Sequence, residues 1–127
     1  MICDRKREFR RGDIYLCEFV EAGGSVQSGL RPALVIQNDI GNYYSSTLIV
    51  SPITSIIKKK EQPTHVLLGE DNGLPENSMV MLEQIQTIDK KIHIREYIGF
   101  IKDKSTIRKI DNALAISLAI YKKKDIA

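Results

Sequence analysis

This 127-residue chain lacks long apolar runs, and it has only two cysteines and two histidines. No apolar stretch reaches the length of a membrane span, about 18 residues or more, and no apolar region follows the basic residues 5–7, which argues against a secretory signal. The two cysteines, Cys3 and Cys17, have no Cys-x-x-Cys spacing, so we expect reduced thiols and no disulfide. We therefore expect one globular domain in the cytoplasm, without a membrane partner.

Histidine is equally scarce. Neither His65 nor His93 has a second histidine or a carboxylate at ligand spacing, so the sequence predicts no metal site. Histidine titrates near neutrality and is often an acid or a base in catalysis. We interpret His65, which follows Pro63 and Thr64, as a structural hydrogen-bonding residue, and His93 as a surface residue.

Positive charge is present but confined to clusters. The formal net charge is +3, with a pI near 8.9. Basic side chains concentrate at residues 5–11, 58–60 and 122–124. Each cluster is able to contact a polyanion, and the alternative explanation is a solvated surface or a frayed end. We favour the solvated surface for 122–124, and both interpretations stay open for 58–60.

Short apolar stretches predict a mostly β fold that ends in a helix. The predicted strands are 13–20, 33–37, 47–50, 65–68, 78–85 and 97–101, with a polar turn at 38–42. From Lys104 onward the apolar residues follow helical spacing, and Ser105 is the predicted N-cap. Strands first and a helix last predict an α+β domain, built as a strongly bent sheet or barrel with a packed C-terminal helix.

The segment around Arg31 joins a flexible polar loop, 23–28, to a buried strand. The unbroken apolar run at 33–36 is typical of a strand covered on both faces, which puts Arg31 at the mouth of the strand. Pro32 fixes the backbone beside it. Considered alone, Arg31 is as well explained by a structural salt bridge as by a functional role.

Blocks of sequence in a fixed order resemble one protein family. They are RGDIY at 11–15, Gly24, Ser25 and Gln27 ahead of Arg31 and Pro32, LVIQND at 34–39, SPIT at 51–54, PTH at 63–65 and LEQIQTID at 82–89. In order and spacing they are similar to the MazF/PemK toxin endoribonucleases, most of all to members from Gram-positive bacteria. The resemblance covers about residues 11–120, and it implies a single toxin domain over residues 1–127 with an N-terminal extension at 1–10.

The resemblance implies a fold, an activity and partners. The fold is an SH3-like barrel of the MazF/PemK/CcdB type. The activity is cleavage of single-stranded mRNA at short sequences, with no metal or other cofactor. A 2′-hydroxyl attacks the phosphorus to leave a 2′,3′-cyclic phosphate and a 5′-hydroxyl, which inhibits translation and growth. The partners are the RNA, a cognate MazE-like antitoxin and a second copy of the chain in a homodimer.

Catalysis is assigned by the resemblance to Arg31 and Thr54. A guanidinium pairs with two phosphate oxygens at once, and a threonine hydroxyl can donate to the same phosphate. Considered alone, Thr54 is better explained as a turn hydroxyl bonded to its own backbone. The positions that line or support the RNA groove in the family are Ser25, Gln27, Asn38, Ser78, Glu83 and Gln84, whose polar groups suit the edges of unstacked bases. For stacking, Tyr44 is available, whereas Phe19 is better explained as a core aromatic.

The chain departs from the family pattern within the same loop. Val26 stands where many members have glutamate, so a loop carboxylate is excluded as the general base, and Arg31 and solvent remain as candidates. Ser28 replaces a common glycine, and residues 43–46 read YYSS where relatives often have Arg-Phe-Ser-Pro. We expect these last two departures to alter RNA preference.

Two functions of other classes stay open. The CcdB relatives of this barrel poison DNA gyrase by binding and cut nothing, although Arg31 and Thr54 being in place argues against that function here. A barrel module that binds a peptide would need a groove lined by aromatic residues, which five Tyr, three Phe and no Trp support poorly.

Overall fold

The computed structural model describes residues 8–19 and 23–120, which form a bent antiparallel sheet followed by a helix. The strands are β1 (Asp13–Phe19), β2 (Gly29–Val35), β3 (Thr47–Thr54), β4 (His65–Leu68), β5 (Ser78–Met81), β6 (Gln86–Asp89) and β7 (Ile94–Phe100). The helices are α1 (Asp39–Tyr44) and α2 (Lys104–Ser117), and a 3-10 turn lies at Glu70–Asn72. This order confirms the predicted α+β class with a C-terminal helix. None of the helices in these two ranges is long and apolar enough to cross a membrane.

Strand β3 is the corner of the sheet. Its residues 50–52 pair with β2 and its residues 47–50 with β6, whereas its last two residues pair with β5. The sheet runs in the order β4-β5-β3-β2-β1-β7. Because β3 changes partners along its length, the sheet bends around it and encloses apolar side chains on both of its faces.

Two apolar clusters fill these faces. Adjacent residues of β1 point to opposite sides, so Ile14 packs in the cluster that α2 covers, and Tyr15 packs in the other. Cys17 belongs to the second cluster as a fully buried free thiol, and burial raises its pKa to about 12. The thiol therefore stays protonated, as expected for a strand cysteine. Cys3 lies outside the described residues.

Several element boundaries differ from the sequence prediction. Strand β2 begins at Gly29 instead of 33 because β1 supplies pairing partners along its whole first half. The predicted strand 78–85 ends at Met81, where the chain turns and starts β6, a strand that the apolar pattern did not indicate. The predicted polar turn at 38–42 is helix α1, whose N-cap Asn38 accepts a hydrogen bond from the Gly41 N–H at 2.8 Å.

The N-cap of α2 is Asp103, so the prediction of Ser105 was wrong. The Asp103 carboxylate accepts from the Ser105 hydroxyl at 2.6 Å, the Thr106 hydroxyl at 2.9 Å and the Ser105 N–H at 3.4 Å. These hydrogen bonds, led by that of the Ser105 hydroxyl, lower the pKa of Asp103. Both residue types cap helices well, and the helix starts at the earlier one.

Candidate active site

The 23–28 loop is held in place by the side chain of Gln84. Gln84 accepts a hydrogen bond from the Gln27 N–H at 2.8 Å and donates one to the Ser25 carbonyl at 3.1 Å. Gln86 adds a longer hydrogen bond, at 3.4 Å, to the Gln27 carbonyl. Gly23, Gly24 and Gly29 have positive φ angles of 82°, 61° and 83°, which glycine adopts without steric cost. The loop is therefore folded back over the 84–86 segment and held there at Ser25 and Gln27.

Arg31 lies at the base of this loop, in the first half of β2. Its Nε donates to the Ser28 carbonyl at 3.0 Å, so the loop orients the guanidinium through a neutral acceptor. Among the described residues no carboxylate forms an ion pair with Arg31. The side chain is half-buried. A half-buried guanidinium that forms no ion pair with the described residues retains its capacity to bind a phosphate in the forked geometry.

Thr54 lies at the end of β3, where the 55–64 loop begins. Its hydroxyl oxygen accepts a hydrogen bond from the Ile56 N–H at 3.1 Å, the turn bond expected for this residue considered alone. That bond uses a lone pair of the oxygen and leaves the hydroxyl proton for another acceptor. The turn bond and a role as donor are therefore compatible, because the backbone N–H orients the oxygen.

The sheet register brings the ends of β2 and β3 together. Ala33 and Pro52 are the last paired residues of the β2–β3 ladder, and Arg31 and Thr54 each lie two positions beyond that pair. By alternation both side chains point to the same side of the sheet as Ala33 and Pro52. Beyond this pair β2 is paired with β1 and β3 is paired with β5, so β2 and β3 no longer pair with each other. Arg31 and Thr54 therefore lie on the two sides of the point where the β2–β3 pairing ends, and we refer to that point as the gap.

The second loop at the site, 55–64, is tied down by a hydrogen-bond network around Glu83. One carboxylate oxygen accepts from the Thr64 hydroxyl at 3.0 Å, and the other lies 2.9 Å from Nε2 of His65. Nδ1 of His65 lies 2.9 Å from the Lys59 carbonyl. The interpretation of His65 as a structural hydrogen-bonding residue is confirmed. Glu83, assigned to RNA by the resemblance, is already occupied by two partners.

The remaining residues assigned to the RNA groove fall into two groups. Ser25 is exposed and Gln27 is half-buried on the loop, beside Gln84. Asn38 caps α1, and Ser78 is 4% exposed with its hydroxyl donating to the Glu76 carbonyl at 2.9 Å. These two side chains are thus engaged in supporting the backbone. The structure brings Ser25, Gln27 and Gln84 together and places Asn38 and Ser78 in supporting positions.

Both aromatic candidates and the second histidine are also located. Phe19 is 3% exposed and belongs to the core, as expected, whereas Tyr44 is 80% exposed on α1. His93 was interpreted as a surface residue, but it is half-buried, and its Nδ1 accepts from the Asp89 N–H at 2.9 Å. Within residues 8–19 and 23–120 no group of three His, Cys, Asp or Glu side chains forms a metal site.

The roles of the 82–86 residues as ties for two loops were not evident from the sequence. The blocks PTH and LEQIQTID were both recognised, but their contact depends on the pairing of β4 with β5. His65 is the register partner of Met81, and the Leu82 N–H donates to the Thr64 carbonyl at 2.8 Å. This pairing carries Glu83 alongside His65. A hairpin register for these two strands would have been the signal that links the two blocks.

Comparison with solved structures defines the class of fold. The chain is similar to MazF from Deinococcus radiodurans, with a TM-score of 0.72 at 21% identity over 89% of this chain and 98% of that one. It is equally similar to a mycobacterial endoribonuclease solved in complex with its cognate antitoxin, with a TM-score of 0.72 at 25% identity over 90% of this chain and 98% of that one. The architecture is therefore a barrel of the MazF type.

Sequence comparison identifies the family within that class. A model of PemK-like, MazF-like toxins of type II toxin–antitoxin systems matches residues 10–118. A protein of Staphylococcus saprophyticus named endoribonuclease MazF is 42% identical over 113 residues, which are 88% of this chain and 92% of that relative. The chain belongs to the PemK/MazF family of toxins. The resemblance seen in the sequence blocks, including the similarity to a Gram-positive member, is confirmed.

Proposed function

We propose that this protein is the toxin of a type II toxin–antitoxin system and acts as a metal-independent, sequence-specific endoribonuclease on single-stranded RNA. The observation that carries the proposal is the guanidinium of Arg31, which is oriented by a neutral carbonyl and flanks a gap shared with Thr54. Family membership and the name of the staphylococcal relative support the activity. The match over 10–118 supports one toxin domain, with residues 1–10 as an extension.

The proposed reaction is an internal transfer at one phosphodiester. The 2′-oxygen forms a bond to phosphorus, the bond from phosphorus to the 5′-oxygen breaks, and the departing 5′-oxygen takes up a proton from solvent. The products are a 2′,3′-cyclic phosphate and a 5′-hydroxyl. Arg31 pairs with the phosphoryl oxygens, on which negative charge increases, and Thr54 donates its hydroxyl to the same phosphate. Since Arg31 stays charged as a donor and Val26 has no acceptor, the proton of the 2′-hydroxyl leaves to solvent.

RNA recognition in this proposal uses the polar groups around the gap. Ser25, Gln27 and Gln84 offer hydroxyl and amide groups to base edges, and Glu83 offers a partly exposed carboxylate. Asn38 and Ser78 support the groove by holding α1 and the start of β5. The exposed lysines 58–60 attract the phosphate backbone along the rim.

The proposed macromolecular partners are an antitoxin and a second copy of the chain. A MazE-like antitoxin with an acidic segment would compete with RNA for the rim made by the 23–28 loop and lysines 58–60. A complex that left cleavage unchanged would contradict this competition.

Homodimerisation is supported by large apolar side chains that the described residues leave exposed after β3 and at the end of α2, namely Ile56, Ile57, Ile116, Leu118 and Ile120. A monomer in equilibrium sedimentation at micromolar concentration would contradict it. We place the protein in the cytoplasm, where its RNA substrate lies.

The test is digestion of a long defined RNA in EDTA with wild-type protein and with Arg31→Ala, followed by mapping of the ends. We expect cuts at one short motif, with cyclic phosphate and 5′-hydroxyl ends, in the wild type alone. The Arg31→Ala protein must retain the wild-type circular dichroism spectrum and melting temperature for the comparison to count. Intact RNA with antitoxin-free wild-type protein across many sequences would overturn the proposal.

A further inference from the structure

His65 lies between two hydrogen-bond acceptors. Its Nδ1 is 2.9 Å from the carbonyl oxygen of Lys59, and its Nε2 is 2.9 Å from a carboxylate oxygen of Glu83. The side chain is 7% exposed, so water has little access to either nitrogen as an alternative hydrogen-bond partner. Both nitrogens therefore form hydrogen bonds only if a proton lies between each nitrogen and the acceptor that it faces.

The two neighbours set the proton count of the ring. A backbone carbonyl only accepts, so Nδ1 must carry a proton, and an ionised Glu83 requires a second proton on Nε2. The imidazolium form donates to both at once, and the ion pair with Glu83 stabilises its charge. His93 provides the contrast within the same chain, because its Nδ1 accepts from the Asp89 N–H and so carries no proton.

The network joins the middle of the 55–64 loop to its C-terminal end. Lys59, in the middle of that loop, has a φ of 53°, a left-handed conformation that is uncommon for a residue with a side chain. Its carbonyl accepts from the Gln62 N–H at 3.0 Å as well as from His65. The loop begins at Thr54, so its conformation determines where the chain leaves the proposed active site. Glu83 adjoins Gln84, which holds the other loop of the site.

We propose that His65, as an imidazolium, is a positioning residue that fixes the 55–64 loop to the segment carrying Glu83 and Gln84, so that both loops flanking Arg31 and Thr54 share one anchor. This inference rests on the proposed function only in treating Arg31 and Thr54 as the active site. The hydrogen bonds themselves do not depend on RNA. Loss of one proton from the ring removes one of its two bonds and loosens the 55–64 loop, while the 23–28 loop stays bound to the uncharged Gln84.

Among the described residues, the ionisable side chain that hydrogen-bonds to His65 is that of Glu83. From the 82–85 turn it faces Glu83, from β5 its register partner is the uncharged Met81, and from the 55–64 loop it meets the Lys59 carbonyl. Glu83 forms no further ion pair with the described residues. An alternative with the same geometry has a neutral imidazole and a protonated Glu83. The Glu83→Gln variant separates the two, because its amide can donate to a neutral Nε2 while Nδ1–H still donates to Lys59.

The first measurement is a long-range proton–nitrogen NMR spectrum of the two histidines in full-length protein without RNA, at about pH 6. We expect both nitrogens of His65 to be protonated, and His93 to carry its proton on Nε2 alone. In Glu83→Gln we expect His65 to become a neutral ring protonated on Nδ1. A neutral His65 in the wild type under these conditions would overturn the proposal.

The second measurement is limited trypsin digestion after lysines 58–60, followed by mass spectrometry and normalised to a free peptide covering 55–64. On going from about pH 6 to about pH 8, we expect cleavage of the wild type to increase about tenfold, the effect of losing one charge-assisted hydrogen bond. His65→Gln is cut rapidly at both pH values, Glu83→Gln shows no pH dependence, and the matched control His93→Gln behaves as the wild type. Equal pH dependence in Glu83→Gln and the wild type would contradict the proposal. Neither measurement uses RNA, so its failure is distinct from failure of the proposed ribonuclease.

Discussion

The two loops at the candidate site are tied to the same short segment by different chemistry. The 23–28 loop is bound by the neutral amide of Gln84, which accepts from one backbone group and donates to another. The 55–64 loop is bound through Glu83 and His65, a pair whose strength depends on charge. Glu83 and Gln84 are consecutive, and their side chains point in different directions. The side chains of one turn therefore contact both loops.

This difference separates two kinds of support for Arg31 and Thr54. The loop that orients Arg31 depends on hydrogen bonds that do not titrate between about pH 5 and pH 8. The loop that follows Thr54 depends on the charged form of the His65 ring, which donates to the Lys59 carbonyl and to Glu83. Loss of that charge therefore acts on one side of the site, and substitution of Gln84 acts on the other. The following substitutions test this division, starting with the residue on which we expect the largest effect.

Replacement of Arg31 by lysine keeps the charge but removes the forked donor and the Nε bond to the Ser28 carbonyl. We expect cleavage to fall by about a hundredfold to a thousandfold, because an ammonium neither pairs with two phosphate oxygens nor is oriented by the loop. The measurement is single-turnover cleavage of a short RNA containing the mapped motif. Activity of Arg31→Lys within about threefold of the wild type would show that charge alone suffices, and that the loop does not orient a catalytic group.

Thr54 tests the other loop, and two variants separate its hydroxyl from its shape. Thr54→Val keeps the volume but removes the hydroxyl, so we expect cleavage to fall by about a hundredfold. Thr54→Ser keeps both the donor and the acceptor for the Ile56 N–H, and we expect it to stay within about tenfold of the wild type. The same single-turnover assay measures both. Equal losses in the two variants would show that the hydroxyl, which serine keeps, is not the group through which Thr54 acts.

Gln84→Ala removes both hydrogen bonds between its side chain and the 23–28 loop. Loss of two neutral bonds of about 1 kcal/mol each should reduce kcat/KM by about thirtyfold, with the same ratio to the wild type at each pH. Hydrogen exchange of the Gln27 amide, which donates to Gln84, should accelerate while exchange in the 55–64 loop stays unchanged. Acceleration in both loops would show that they are not held independently.

Much of the fold follows from apolar periodicity in the sequence. Alternation predicted β1 at 13–20 against an observed 13–19, and helical spacing from Lys104 predicted the start of α2. Strand β6 was missed because the turn before it, at Leu82 and Glu83, contains no glycine, proline, asparagine or aspartate. Leu82 is fully buried, so it extends the apolar run of β5 and hides the point at which the strand ends.

The candidate site was predicted in its residues but not in their connections. Resemblance to a family locates Arg31 and Thr54 by position in the chain, and the antiparallel register then explains why they flank one gap. The ties of the two loops join residues far apart in sequence, 57 positions between Gln27 and Gln84 and 18 between His65 and Glu83. Such contacts depend on how the sheet bends, which local patterns do not contain.

Substitution of Gln86 has the smallest expected effect on kcat/KM, and it tests whether the segment that holds the 23–28 loop extends beyond Gln84. Its amide donates to the Gln27 carbonyl at 3.4 Å, beyond the usual range for an N–H···O bond, whereas Gln84 binds the same residue at 2.8 Å. Gln86→Ala should therefore change kcat/KM by less than about threefold and leave exchange of the Gln27 amide unaltered, since that N–H still donates to Gln84. The measurement compares both variants in one exchange experiment. If Gln86→Ala loosened the loop as much as Gln84→Ala, the anchor would be the whole start of β6, and the distinction between a neutral tie at Gln84 and a charged tie at Glu83 would no longer describe the site.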